Sequence, residues 1–200
     1  MGLIENAILR IKALDTRDYA LIIVFSALMA ITTMWAIPLP FGGLMHFGNI
    51  IMWTGSILFG GVIGGLGGGI GGMIVDIMEA PIWAIFTPFC KLASGLACAI
   101  VAGDSTEVNT TKIVRIVAAT IVGWLINLLA YAPVYYLLLG PENTILWLTL
   151  FLVTPIPTII NWAIVPVVSL AILKAYPGIS RNREMIKTRI QRLKEAKVKK

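Results

Sequence analysis

The chain has 200 residues, of which 58% are hydrophobic and 13% charged, with a formal net charge of +6 and a mean hydropathy of +0.89. Soluble domains carry about 25% charged residues, so this composition excludes disorder, a nucleic-acid-binding domain and most soluble enzymes, and indicates one membrane domain. The charge belongs to a tail: residues 181–200 hold nine Lys/Arg against two acids, residues 1–180 seven against eight.

Ile4, Ile8 and Ile11 share a helical face, with Glu5, Arg10 and Lys12 off it, which predicts an interfacial helix within residues 1–17. The alternation of acids and bases with apolar residues up to Asp18 is unlike a cleavable signal peptide, and Asn6 departs from a myristoylation signal. A spanning helix needs about 20 mostly apolar residues. The first run covers 19–37 and stops at Pro38 and Pro40, before a polar loop at 41–48. A second run covers about 49–64 and a third about 66–78, with Asp76, Glu79 and Pro81 marking the next turn. A fourth runs over about 83–102, a fifth over about 113–139 and a sixth over about 145–175, interrupted by Pro155, Pro157 and Pro166. The fold class expected is therefore an all-α integral membrane protein of six transmembrane helices. Residues 1–176 form one membrane domain and 177–200 a basic cytoplasmic tail.

With both termini cytoplasmic, fifteen of the sixteen basic residues lie on the inner side, as the positive-inside rule requires. The sixteenth is Lys91, inside the fourth run. In the tail, Arg189, Arg192 and Lys194 are expected on the anionic inner leaflet, with Ile186, Ile190 and Leu193 on the apolar side.

Cys90 and Cys98 are eight residues apart in one helical run, about 12 Å, too far for a disulfide. The single histidine and the absence of a C-x-x-C pair leave no zinc pattern. Residues 60–72 contain nine glycines, and the four-residue spacing of Gly60, Gly64, Gly68 and Gly72 suits close helix packing in lipid. A tight turn is expected near 64–67. The match of Gly67, Gly69 and Gly72 to a dinucleotide fingerprint lacks a preceding strand, and no phosphate-loop lysine follows.

Phe59-Gly60, Gly64, Gly68, Gly71 and Asp76, followed by Lys91 and Gly95, resemble the second-to-fourth-span signature of the substrate-binding S components of energy-coupling factor (ECF) vitamin transporters. The resemblance extends over about residues 18–175. It implies a plasma-membrane protein that binds a water-soluble vitamin or precursor without a cofactor or metal. It also implies no ATPase activity, and docking on a transmembrane coupling protein driven by two ABC-type ATPases. Capture under a closing first loop and toppling within the complex are further family implications. Family members dock through Ala-x-x-x-Ala on the first span; the nearest match in this chain is Ser26-x-x-x-Ala30, with Ala27 beside it.

The resemblance also implies a ligand near the outer face, under the loop joining spans one and two. At that level lie His46 and Asn49 from the first loop, Asp76, Glu79, Trp83 and Lys91 from spans three and four, Asn127, Tyr131 and Tyr135 from span five, and Asn161 and Trp162 from span six. Lys91 is the sharpest of these. An ammonium within a span costs roughly 2.5–3.5 kcal/mol on insertion scales, so it should face a cavity or a partner; an ion pair with Asp76 or Glu79 and a ligand acceptor are both open. Asn127 and Asn161 sit in apolar runs and need partners. Trp83, Tyr131 and Trp162 suit stacking on a planar ring, whereas Trp147 and Tyr176 suit an interfacial belt. A riboflavin- or pyrimidine-like heterocycle is favoured, with pyridoxine-like compounds and pantothenate still open. The competing reading is a stand-alone six-span secondary transporter or channel, although ionisable residues for a coupling-ion route are scarce. No Ser-His or His-Glu spacing supports an enzyme.

Overall fold

The computed structural model describes residues 12–35, 37–38, 44–45, 47–105, 107–153, 156–179, 188–192 and 195. Residues 1–11 of the expected interfacial helix and His46 lie outside them.

Helix α1 (Thr16–Met34) starts at a reciprocal capping box. The Asp18 backbone N–H donates to Asp15 Oδ1 and the Asp15 N–H to Asp18 Oδ2, both at 3.0 Å, so two orphan donors of the first turn are satisfied. After α1, which ends at Met34 rather than at residue 37, comes a two-residue antiparallel ladder. Strands β1 (Ile37–Pro38) and β2 (Leu44–Met45) pair Ile37 with Met45 and Pro38 with Leu44. Proline at 38 and 40 favours extended backbone over helix.

Helices α2 (Gly48–Phe59) and α3 (Gly61–Glu79) form a tight antiparallel hairpin that turns at Gly60, where φ is 110°. The turn therefore falls four residues earlier than the sequence reading placed it. Gly64–Gly67 lie within α3, where their value is close approach rather than a bend. Around α3 the glycines form three rows. A Cβ at Gly64 or Gly68 would strike Ser56 or Met52 of α2, and one at Gly67 or Gly71 would strike Phe25 or Ser26 of α1. The third row faces α4 (Thr87–Ala102), where Cβ atoms at Gly61, Gly65 and Gly69 would meet Leu96, Leu92 and Pro88. One helix thus packs against three neighbours at backbone distance, which apolar side chains would prevent.

The fourth run begins with a 3₁₀ turn (Pro81–Trp83), and α4 itself starts at Thr87. At the other end of α4, Lys112 Nζ donates to the carbonyls of Ala102 (2.9 Å) and Gly103 (3.1 Å), and Arg115 Nε to that of Val101 (3.0 Å). Two cations thereby cap its C-terminal carbonyls.

Helix α5 (Thr110–Val153) is interrupted at Gly140 (φ 84°, ψ 172°), and Pro141 opens its second arm. Helix α6 (Ile156–Ala175) follows, then a 3₁₀ turn (Pro177–Ile179). The sixth run expected at 145–175 thus divides between the second arm of α5 and α6. By length and composition, Thr16–Met34, Gly61–Glu79 and Thr110–Thr149 are apolar enough to cross a membrane; Gly48–Phe59, Thr87–Ala102 and Ile159–Ala175 are shorter apolar helices. The core centres on α2: Trp53, Met52 and Ile57 pack with Met29, Cys98, Ile116 and Val165. Both cysteines are buried thiols.

Arg189 departs from the leaflet expectation. Its guanidinium donates to Asp18 Oδ2 and to the Ala13 carbonyl, each at 3.0 Å, and also to Asp15 Oδ2. Two carboxylates at one helix start match the guanidinium fork. The Asp18 backbone N–H and then the Arg189 charge hold the Asp15 carboxyl below its ordinary value, against an opposing desolvation effect.

Candidate functional site

The end of α3, the start of α4 and the first arm of α5 meet in a partly buried polar cluster. Thr87 supplies the link. Its hydroxyl donates to Asp76 Oδ2 and lies 2.8 Å from the Tyr131 hydroxyl. A hydroxyl has one hydrogen, so Tyr131 donates to Thr87, and a directed chain runs Tyr131 to Thr87 to Asp76.

One turn along α4, Lys91 is only 5% exposed. Its Nζ donates to Asn49 Oδ1 at 2.7 Å and lies 5.6 Å from the centroid of the Tyr131 ring, within cation–π range. The ammonium therefore meets an amide oxygen and an aromatic face, while Asp76 takes its hydrogen bond from Thr87. Glu79 is exposed.

Aromatic rings extend from this cluster. Trp83 lies 4.4 Å from Tyr135 and 6.3 Å from Tyr131 between centroids. Trp147, expected in an interfacial belt, is stacked on Tyr135 at 4.2 Å with 17° between planes. On the other side, Trp53 Nε1 donates to Ser94 Oγ (2.9 Å), and Ser94 Oγ donates to the Gly123 carbonyl (2.7 Å).

Of the residues singled out from sequence, Asp76, Trp83, Lys91, Asn49 and Tyr131 come together. Asn127 lies one turn of α5 before Tyr131, and its Oδ1 is buried without a hydrogen-bond partner among the described residues. Trp162 packs edge-on against Trp124 at 5.4 Å, with its Nε1 likewise buried and unpartnered. Asn161 beside it is buried. On α1, Ser26 is buried and donates to the Ile22 carbonyl, Ala30 is half-buried, and Ala27 is exposed.

Thr87, Ser94 and Trp53 escaped the sequence reading. Thr87 and Ser94 flank Lys91 at one-turn spacing, so the shared helical face was a usable signal. Trp53 read only as an apolar residue. Among the described residues no group of three His, Cys, Asp or Glu side chains is placed to hold a metal.

Comparison with known proteins gives the family. Residues 13–177 match the family model described as ECF-type riboflavin transporter, S component. The chain is also 34% identical over 119 residues to a Pyrococcus woesei protein described as an uncharacterized protein in gap 3′ region, a match covering 58% of this chain and 77% of that one. With most of its length matched, and with the apolar helices described above, the chain is a membrane protein belonging to the family of ECF-type riboflavin transporter S components.

Proposed function

We propose that the chain is the high-affinity riboflavin-binding subunit of an ECF-type importer in the plasma membrane. It spans the bilayer six times with both termini cytoplasmic, and has no ATPase activity of its own. The observation that carries this reading is the middle level of the α4–α5 seam. Thr87–Tyr131 and Ser94–Gly123 are hydrogen-bonded rungs on either side of it. Between them lie a buried ammonium with further donors, Lys91, and a buried amide, Asn127, whose oxygen has no partner among the described residues. A heterocycle with a carbonyl beside a ring N–H satisfies both: Lys91 donates to the carbonyl and Asn127 accepts from the N–H. The isoalloxazine of riboflavin carries such an edge on a planar ring, and Trp83 and Tyr131 offer faces to stack on it.

In this reading Asp76 holds the Thr87–Tyr131 chain in place, and Asn161 and Trp162 of α6 bound the far side of the ligand. Asn49 and His46 belong to its cover. Docking on the transmembrane coupling protein, which two ABC-type ATPases drive, uses the Ala27 side of α1. Ala30 lies at its margin, and Ser26 acts by letting α1 approach Gly71.

The test is mass spectrometry of the ligand that copurifies with the protein, followed by riboflavin titration read by quenching of flavin fluorescence. Bound flavin and saturable quenching at submicromolar concentration are expected. No binding of riboflavin by the purified chain overturns the reading. Riboflavin transport into vesicles by the chain alone, without ATPase partners, favours the stand-alone transporter instead.

A further inference from the structure

Trp53 is the bulkiest fully buried side chain of the molecule's described residues, and it is held by more than packing. Its indole N–H donates to Ser94, which passes the bond to the Gly123 carbonyl, so one side chain ties α2, α4 and α5 together. Gly123 is the seat: a Cβ there would lie 2.9 Å from Trp53 Nε1 and 3.1 Å from Cys98 Cβ. One turn along the same face of α2 is Asn49, whose amide oxygen meets Lys91. Lys91 and Ser94 are in turn one helical turn apart on α4. The α2–α4 seam therefore carries two polar rungs, Asn49–Lys91 and Trp53–Ser94, side by side.

Helix α2 is held at its end by the Gly60 turn but has no capping side chain at its start. It is 12 residues long, and its N-cap, Phe47, makes no side-chain capping bond. A slip by one residue would move Asn49 about 1.5 Å along the axis and about 100° around it, carrying its Oδ1 off the Lys91 ammonium that it now meets at 2.7 Å. On the reading that Lys91 contacts the substrate, we infer that Trp53 is a positioning residue: through Ser94 and Gly123 it fixes the register of α2 so that Asn49 holds the Lys91 ammonium where the substrate meets it. Trp53 does not itself touch the substrate.

The experiment is one double-mutant cycle, read two ways, in the full-length protein in detergent. Trp53→Phe and Asn49→Ala are made singly and together, alongside Lys91→Met, with riboflavin Kd and ligand-free Tm as readouts. Trp53→Phe keeps an aromatic ring and loses the N–H. It is expected to raise Kd roughly three- to tenfold, the range of one net hydrogen bond, and to have less than a twofold effect once Asn49 is alanine. Ligand-free Tm losses of the two changes should likewise be sub-additive. If Trp53→Phe does not fold, Ser94→Ala, which removes the same rung from the other side, replaces it. A Kd within twofold of wild type, or fully multiplicative effects on Kd, overturns the inference. If Lys91→Met leaves Kd unchanged, the substrate reading has failed instead, and the Tm cycle alone decides whether Trp53 sets the register. Additive Tm losses then overturn that as well.

Discussion

Lys91 Nζ and Asn49 Oδ1 lie 2.7 Å apart, between positions separated by 42 residues. The contact places a buried cation on a neutral acceptor and uses one of its three N–H donors, which leaves donors for a third group. Lys91→Met is accordingly expected to weaken riboflavin binding by at least tenfold, the loss of a charge-assisted hydrogen bond. Ligand-free Tm should be unchanged or raised, because burying an ammonium is costly. A Tm collapse with unchanged affinity would assign Lys91 to structure instead.

Asn127 provides the complementary case. Its Oδ1 is buried without a partner among the described residues, so Asn127→Leu should leave ligand-free Tm unchanged or higher, since an unsatisfied buried acceptor costs about 1–3 kcal/mol. Riboflavin affinity should fall. Thermal scans with and without riboflavin separate the two effects.

Thr87→Val keeps the shape of the side chain and removes both its bonds. Asp76 then loses its donor and the Tyr131 hydroxyl its acceptor, and destabilisation of about 1–3 kcal/mol is expected from the unpaired groups. Tyr131→Phe removes only the outer link of the chain and should cost less. Unfolding of the two variants under identical detergent conditions checks the order.

The glycines predict costs that depend on position. Gly64→Ala drives a Cβ into the Ser56 backbone and should lower Tm by overpacking, about 1–3 kcal/mol. Gly60→Ala meets no atom within 4 Å but must hold φ 110° with ψ 152°, a backbone cost of about 1–3 kcal/mol. Gly178→Ala, with open space and no positive φ, should be neutral. Thermal denaturation of the three variants gives the comparison.

At the tail clamp, Asp15 titrates below its ordinary 3.8 in the folded chain. Its contribution to stability is therefore complete above about pH 4 and is lost as pH falls through the lowered folded value. Asp15→Asn should flatten the acid end of the Tm-against-pH curve between pH 5 and about pH 3. Arg189→Ala should flatten it only in part, because the Asp18 backbone N–H is the larger influence.

Much of the architecture was legible along the chain. Runs of apolar residues report burial or lipid directly, so the helices at 16–34, 87–102 and 110–139 lie close to where the hydropathy put them. Asp76, Trp83, Lys91, Asn49 and Tyr131 were singled out by the level at which the family resemblance implies a ligand, and Lys91 also because an ammonium within an apolar run needs a partner. Less legible were breaks within continuous apolar sequence. Gly60 differs from eight neighbouring glycines only in its backbone angle, and that angle is set by which helices those neighbours pack against.

By itself, the sequence determined that the chain is a membrane protein with a neutral, oily body and a basic tail, because transfer free energy depends on composition and run length. Only the tertiary structure decided what the charges and amides do. Arg189 pairs with Asp15 and Asp18 rather than facing outward, and Lys91 donates to Asn49 rather than to Asp76. Thr87 and Trp53, passed over in the sequence, became hydrogen-bonded links between helices. Hydrogen bonds act over about 3 Å, and distances that short between residues tens of positions apart exist only once the helices have set their register.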